Sequence, residues 1–207
     1  MTRRYELKQR AQRQADTRRR ILEATVALHA ERGLVATQVT DIAQRAGVDR
    51  VTVYRHFPDP ASLFKACAAH YYNAHPPPDP TGWATIADPE ARLRHGLGEV
   101  YGFWADNAAM AAHVLRDAQV LGHLGVGRRL LGLQRDATEV LASGWSPPHD
   151  QAALAATIRV AVDFHSWQRL VAELGLSQQA AVELAVSWTR CLASPRRATS
   201  PRGPFHG

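Results

Sequence analysis

Five polar side chains within seven consecutive residues of this chain have the chemistry needed to contact nucleic acid. They are Arg50, Thr52, Tyr54, Arg55 and His56. Side chains of these types bind phosphate oxygens through charge and hydrogen bonds, and arginine also pairs with guanine edges in a major groove. The residue types of this segment therefore predict a site that binds nucleic acid.

The residues around this segment predict two short helices joined by a tight turn. Residues 37–57 read TQVTDIAQRAGVDRVTVYRHF, with helices expected at about 39–46 and 50–57. Gly47 tolerates the left-handed backbone that ends a helix, and Asp49 is a good N-cap for the next one. The apolar residues fall at helical spacing on facing sides: Ile42, Ala43, Ala46, Val48 and Val53. This pattern is typical of a helix-turn-helix.

The net charge of the chain lies almost entirely beside this motif. Residues 1–65 contain 13 of the 25 Lys and Arg residues and only 7 of the 19 Asp and Glu residues, whereas the rest of the chain is balanced. A basic excess confined to one region favours binding to a phosphate backbone.

The residues before the motif predict a helix and an arm. The helix is expected from Asp16, as its cap, to Gly33, with His29 as a core or rim histidine. Residues 1–15 are rich in Arg and Gln and predict a flexible basic arm. This arm either reaches along DNA or serves only as a solubilising tail. Thr37 is the expected cap of the helix at 39–46.

The residues after the motif predict further helices and no strand. Asp59 and Pro60 have the types expected at the start of a helix at 61–73. A Pro-rich break covers 75–89, and 194–207 is expected to be disordered. Helices are predicted at 90–105, 108–121, 128–143, 150–174 and 177–193.

Residues 15–74, under a third of the chain, resemble the DNA-binding domain of the TetR family of bacterial transcription regulators. The resemblance rests on residues in the family's order and spacing: Ile21-Leu22, Gly33, Thr37, Asp41-Ile42-Ala43, Ala46-Gly47-Val48, Tyr54-Arg55-His56-Phe57-Pro58 and Leu63-Phe64. It implies an all-α fold with a three-helix DNA-binding head at 16–74. A C-terminal helical ligand-binding and dimerisation domain is then expected at 75–193.

The resemblance also implies which residues contact DNA. They are Gln38, Thr40, Arg50, Val51, Thr52, Tyr54, Arg55 and His56. This chain departs from the family at three places. Pro60 stands where the family often has Lys, Val51 replaces a commonly small residue and suits a thymine methyl group, and His29 stands where the family usually has a core aromatic residue.

The C-terminal helices predict a pocket for a small apolar or aromatic effector. The residues expected to line it are Tyr101, Phe103, Trp104, Met110, Phe164, His165 and Trp167. By resemblance, the last two helices pair with their twins in a homodimer. No cofactor or metal is expected.

Other classes of protein are disfavoured by the sequence. No signal peptide or membrane span is evident, which favours the cytoplasm, and Cys67 and Cys191 are expected to stay reduced. No GxSxG, HExxH or CxxC motif is present, so an enzyme is not expected. The resemblance to the TetR family implies a ligand-responsive homodimeric repressor that binds a palindromic operator. The alternative is a helical ligand-binding or scaffold dimer whose head no longer recognises a specific DNA sequence.

Overall fold

The computed structural model describes residues 2–145 and 151–193, and in this part of the chain it contains helices and no strand. The predicted all-α class is therefore confirmed. The α-helices are α1 Thr2–Arg32, α2 Val39–Ala46, α3 Arg50–His56, α4 Pro60–Ala74, α5 Pro89–Leu121, α6 Arg128–Leu141, α7 Gln151–Val162, α8 Phe164–Trp167 and α9 Gln178–Ala193. Shorter 3-10 turns cover Pro80–Thr85 and Gly122–Leu124, and Gln168–Glu173 is π-helical. No helix in the described ranges is long and apolar enough to cross a membrane.

The chain forms two compact units, each made of two stretches of sequence. The first unit contains Met1–Asp79 and Val100–Gln134, and the second contains Pro80–Glu99 and Arg135–Gly207. The domain boundary at 74/75 expected from the sequence does not coincide with a boundary of these compact units, and the assignment of DNA binding and ligand binding to its two sides stays a prediction. The expected tail at 194–207, the break at 146–148 and the cap at Asp150 lie outside the described residues.

The core of the first unit is built by α1 to α4. The residues predicted to face one another across the helix-turn-helix are buried or half-buried, and α1 covers them with its own apolar stripe. The buried members of this core include Ile21, Leu22, Leu28, Ile42, Ala43, Ala46, Val53, Phe57, Leu63 and Cys67. Burial of this stripe is the main driving force that fixes the short α2 and α3, because helices of this length are marginal alone.

The first helix is longer than the sequence suggested. The flexible arm predicted at 1–15 is wrong for residues 2–15, which are the first half of α1. These residues are polar, but they contain no Gly or Pro and are mostly good helix formers such as Gln, Arg, Lys and Ala. Asp16, the expected cap, is an interior residue that accepts a hydrogen bond from Gln12 Nε2 at 3.3 Å. Polar composition alone was therefore not enough to predict a flexible arm, because the same residues also favour a helix.

Of the caps predicted for α2, α3 and α4, two are confirmed and one is wrong. The Asp49 carboxylate accepts from Thr52 N at 2.6 Å, and that of Asp59 accepts from Ser62 N at 2.8 Å. Thr37, however, does not cap α2, since its hydroxyl donates to the carbonyl of Gly33 at 2.7 Å. The cap position is occupied by Gln38.

The two helices predicted at 90–105 and 108–121 are joined in α5, with non-helical backbone at Asn107 (φ −123°, ψ 15°). Asn107 Nδ2 donates to Phe103 O at 2.8 Å, which returns a hydrogen bond to the interrupted helix. The Tyr71 hydroxyl of α4 donates to Asn107 Oδ1 at 2.5 Å. The interruption in α5 is thus tied to α4 through two side chains.

The helix predicted at 150–174 is interrupted, so the continuous helix is wrong. Asp163 is extended (φ −64°, ψ 139°), and its carboxylate accepts from His165 N at 2.8 Å and Ser166 N at 3.3 Å. A short acidic side chain that bonds nearby amides competes with the helical pattern and starts a new helix. Leu174 and Gly175 (φ 74°) then end the π-helical segment, and Ser177 caps α9 as predicted.

The apolar residues of the last helices are mostly core of the second unit. Ile158, Val162 and Val186 are fully buried there, so they are not available to a partner. The large apolar side chains that remain exposed on α7 and α9 are Val160, Trp188 and Leu192. An ion-pair network of Arg94, Glu183, Glu90 and Arg190 links α5 to α9.

The cysteines are both free and differ in exposure. Cys67 is buried, and burial raises the pKa of its thiol to about 12. Cys191 on α9 is exposed.

Candidate nucleic-acid interface

The turn between α2 and α3 holds the second helix at a fixed angle to the first. Gly47 has φ 64°, and Val48 N donates to Ala43 O at 3.0 Å, which ends α2 in a left-handed cap. Two residues later Asp49 caps α3. Arg20 of α1 supports the same turn, since its guanidinium donates to Ala46 O at 2.9 Å.

Helix α3 has one buried side and one exposed side. Val53 points into the core, whereas the opposite side exposes Arg50, Val51, Tyr54 and Arg55, which we call the reading face. Val51 is 73% exposed and Tyr54 is 45% exposed. Exposed apolar and aromatic side chains beside two arginines can contact thymine methyl groups, phosphates and guanine edges.

The other four predicted DNA-binding residues lie around the reading face. Gln38 and Thr40 are exposed at the start of α2. Thr52 is half-buried, and its hydroxyl accepts from Arg55 Nη2 at 3.3 Å. His56 is also half-buried, and burial, followed by the charges of Arg55 and Arg18, lowers its pKa. His56 is therefore neutral at pH 7 and offers phosphate a hydrogen bond without an ion pair.

Residues that the sequence did not single out stabilise α2 and α3 through contacts with α1. The Arg18 guanidinium lies 5.0 Å from the centre of the Phe57 ring at the end of α3. Arg45 pairs with Glu31 at 2.6 Å, and Arg32 pairs with Asp41 at 3.1 Å, so α1 and α2 are linked twice. The predicted α1 stripe showed that these helices pack, but it contained no sign of which charges would meet.

A carboxylate of α5 holds the loop between α1 and α2. Asp117 is buried, and one of its oxygens accepts from Leu34 N at 2.7 Å and from Val35 N at 3.0 Å. Burial opposes the charge, but hydrogen bonds from Arg116, Val35 and Leu34 more than offset it and lower the pKa of Asp117. We call Asp117 with the two amides the loop clamp. The sequence contained no signal for it.

Gly33 is the point of closest approach at the loop clamp. Its φ is 92°, and a Cβ there would lie 2.1 Å from Arg116 Nη2 and 3.0 Å from Asp117 Oδ2. Only glycine combines this backbone conformation with this contact. The predicted glycine that ends α1 therefore has a second reason to be glycine, which is the approach of α5.

A cavity of about 560 Å³ lies inside the first unit. Its wall is gathered from α1, α4, α5 and the segment that begins α6: His29, Leu34, Ala61, Phe64, Lys65, Cys67, Ala68, Ala69, Tyr71, Tyr72, Met110, Val114, Leu124, Gly125, Val126, Gly127, Arg128 and Arg129. This size is within the usual range for small-molecule sites.

The cavity includes one of the seven predicted ligand-binding residues, Met110. Tyr101, Phe103 and Trp104 are buried and do not belong to its wall. In the second unit, Phe164 and Trp167 are buried, with their rings tilted and their centres 5.6 Å apart, and His165 is exposed. The role of all seven in ligand binding stays a prediction.

His29 and Cys67 form a polar point in the cavity wall. His29 Nδ1 lies 3.7 Å from Cys67 Sγ, and the imidazole ring packs 5.8 Å from that of Phe64. Burial lowers the pKa of His29 to about 4, against a smaller opposing effect of the Asp117 charge. The predicted core position of His29 is confirmed. Within the described part of the chain, no group of His, Cys, Asp and Glu is arranged to hold a metal ion.

Comparison with known proteins relates the first unit to a family of regulators. Residues 21–67 match the sequence model of "Bacterial regulatory proteins, tetR family". This segment covers the second part of α1, all of α2 and α3 and the first part of α4, and it contains the reading face. None of the curated proteins is similar enough in sequence to match.

Solved structures with a similar fold cover most of the chain. A TetR-like transcriptional regulator from Rhodococcus sp. RHA1 is 22% identical, covers 86% of this chain and 97% of its own, and has a TM-score of 0.59. NalD, the secondary repressor of the MexAB-OprM multidrug efflux pump in Pseudomonas aeruginosa, is 18% identical (86% and 96% covered, TM-score 0.55). A TetR-family regulator from Mesorhizobium loti is 19% identical (87% and 96% covered, TM-score 0.57). At these identities the likeness shows a shared fold.

Proposed function

We propose that this chain, whose residues 21–67 match the model of the TetR family of bacterial regulators and contain a helix-turn-helix, is a ligand-responsive homodimeric repressor. The observation that supports this most is the reading face, where a capped helix exposes Val51, Tyr54 and Arg55 while Val53 anchors it. In a dimer, two such helices about 35 Å apart would bind a palindromic operator in successive major grooves.

The eight predicted residues divide into two roles in this proposal. Arg50, Tyr54 and His56 bind phosphates and set the position of α3, whereas Val51, Thr52 and Arg55 contact base edges. The hydrogen bond from Arg55 to Thr52 supports this division, since it aligns both side chains on one side of the helix. Gln38 and Thr40, exposed at the start of α2, reach the adjacent backbone.

Selection of DNA from a random pool with purified protein, near physiological salt, tests this function. We expect enrichment of a palindrome, with affinity that falls steeply as salt is added, because the net charge of +6 lies in the region of the helix-turn-helix. A folded protein that enriches no sequence, or a flat salt profile, would contradict the proposal. Enrichment of an asymmetric site would contradict the dimer alone.

The proposed dimer uses a second copy of α7 and α9. Val160, Trp188 and Leu192 are exposed on these helices, and burying them against a second copy would stabilise a dimer. Sedimentation should give a dimer that Trp188→Glu weakens. Tyr5→Glu, which changes an exposed aromatic residue of α1, is the matched control and should leave the dimer intact.

The proposed response to a ligand starts from the cavity. Met110 and Val114 line it from α5, and the loop clamp is formed by Asp117 on the same helix. Leu34 belongs to both, since its side chain lines the cavity and its amide is held by Asp117. A ligand that prefers a different placement of α5 would therefore shift the loop before α2 and lower operator affinity.

The alternative function is a helical ligand-binding or scaffold dimer whose head no longer recognises a specific DNA sequence. Its support is two departures from the family, Pro60 where the family often has Lys and His29 where it usually has a core aromatic residue. Pro60 is the first residue of α4 behind the cap Asp59, a position that suits proline and leaves the reading face unchanged. This alternative predicts a dimer that binds ligand and enriches no DNA sequence.

A further inference from the structure

The charges that line the cavity all have one sign. Lys65, Arg128 and Arg129 belong to its wall, and no Asp or Glu is among the wall residues that the structure describes. His29, the remaining titratable base, is neutral because burial lowers its pKa to about 4. None of the three cations forms an ion pair within the described ranges.

Arg128 and Arg129 lie at the start of a helix, where positive charge is unfavourable. They are the first two residues of α6, whose first turn contains no acidic residue. The free N–H groups at a helix start carry partial positive charge, so cations there are unfavourable unless an anion is bound. Gly127 precedes the helix and has no side chain that could accept from the N–H groups of the first turn, although the N–H of Arg128 donates to Gly125 O at 3.4 Å. Both arginines are exposed, so the positive charge at this edge of the cavity meets solvent and has no neutralising side chain among the described residues.

Both guanidinium groups are held against the cavity wall. The Arg129 guanidinium lies 5.1 Å from the centre of the Tyr72 ring, and Tyr72 is itself a wall residue. The Arg128 guanidinium lies over Gly125, where a Cβ would come within 3.4 Å of Nη2. The rest of the wall is mainly apolar, with Phe64, Met110, Val114 and Val126.

From this arrangement we infer that the cavity binds an amphipathic anion, a molecule with an apolar body and one carboxylate. The apolar body lies against Phe64, Met110 and Val114, and the carboxylate pairs with Arg128 and Arg129. This inference rests on the proposed role of the cavity as the effector site and narrows the apolar or aromatic effector expected from the sequence to an acidic one. A neutral ligand of the same body would leave the cations unpaired.

Calorimetric titration with decanoate, decanamide and decyltrimethylammonium tests the inference, because these probes share a chain and differ in head-group charge. We expect decanoate to bind about tenfold more tightly than decanamide at low salt, and the cation to bind most weakly. The preference should shrink as salt is added. Equal affinities, a preference for the amide or the cation, or no binding of decanoate would overturn the inference.

The Arg128→Gln/Arg129→Gln variant locates the anion. It should lose the preference for decanoate and keep its affinity for decanamide, which also shows that the cavity is intact. Arg135→Gln on the same helix is the matched control, since Arg135 is exposed and outside the cavity wall, and it should behave like the unchanged protein. An unchanged preference in the double variant would overturn the inference.

Operator binding in the presence of decanoate separates this inference from the proposed function. Decanoate that binds with the expected preference and leaves the protein on its operator would support the ligand class and contradict the proposed ligand response. Release by decanoate and decanamide alike, at equal concentrations, would support the response and overturn the anionic class.

Discussion

The reading face and the cavity both present exposed cations, but the surfaces beside those cations differ. Arg50 and Arg55 project from a short exposed helix, with the apolar residue Val51 beside them in solvent. Arg128 and Arg129 border a wall of aromatic and aliphatic side chains. Exposed cations on a short polar helix favour a long polyanion through long-range attraction, whereas exposed cations at the edge of an apolar cavity favour an anion that can also bury a hydrophobic body. Equal charge therefore need not mean the same ligand.

The largest loss of stability is expected when the loop clamp is removed. Asp117→Ala removes the acceptor of Leu34 N and Val35 N, and Leu34 is buried. We expect the free energy of unfolding to fall by roughly 3 kcal/mol, because a buried N–H is left without a partner. Urea denaturation measures this loss. Asp136→Ala, which removes an exposed carboxylate paired only with its neighbour Arg135, should cost less than about 0.5 kcal/mol. A similar cost for both variants would contradict the role of the clamp.

Low pH should destabilise the folded protein through His29, a residue of the cavity wall. Its pKa is lowered to about 4 in the folded protein, whereas the unfolded chain has a value near 6.5. Between these values the unfolded state binds more protons, so stability is kept above pH 6.5 and lost as the pH falls toward 4. The loss between pH 7 and pH 5 should be about 2 kcal/mol. Denaturation of the unchanged protein and of His29→Gln at both pH values measures it, since the variant lacks this contribution. Parallel losses in the two proteins would contradict it.

At the reading face the expected effect is on DNA rather than on folding. Arg55→Ala should weaken operator binding by about 2 kcal/mol and relax base preference at one position of each half-site, because a base-edge contact is lost. Arg50→Ala, assigned to phosphate, should instead weaken binding to all sequences by about 1 kcal/mol and reduce the salt dependence. Fluorescence anisotropy with operator and scrambled DNA distinguishes them. The same pattern in both variants would refute the division of roles.

The smallest loss of stability is expected at Asp49, the residue that caps α3. Asp49→Ala removes the acceptor of Thr52 N and should lower the free energy of unfolding by about 1 kcal/mol. Asp49→Asn keeps an acceptor and should cost less. Thermal denaturation of the two variants compares them, and an equal loss would show that the carboxylate charge, not the cap, matters.

The reading face could be predicted from the sequence because its signals are local. Gly47, Asp49 and Pro58 fix the turn, the start and the end of α3 within a few residues, and the apolar spacing fixes which side is buried. The class of the fold followed from the same periodicities. Sequence reasoning therefore predicted the short helices better than the long ones.

The cavity and the loop clamp could not be predicted because their residues are far apart in the chain. Asp117 meets Leu34 only when α5 comes close to the loop that follows α1, and nothing near either residue in the sequence indicates the other. The break at Asp163 failed for a different reason. An aspartate inside an apolar helical pattern is compatible with an exposed helix position, and only the structure shows that its carboxylate accepts from the amides of His165 and Ser166.

Because Cys67 is buried and Cys191 is exposed, a dye can be attached to α9 without any substitution. The buried Cys67 thiol, with its raised pKa, does not form a thiolate at neutral pH, so a maleimide dye should react at Cys191 alone. A fluorophore placed there reports on the helix proposed to meet its twin. Energy transfer between donor- and acceptor-labelled copies would then follow association of subunits in real time, with the native sequence intact.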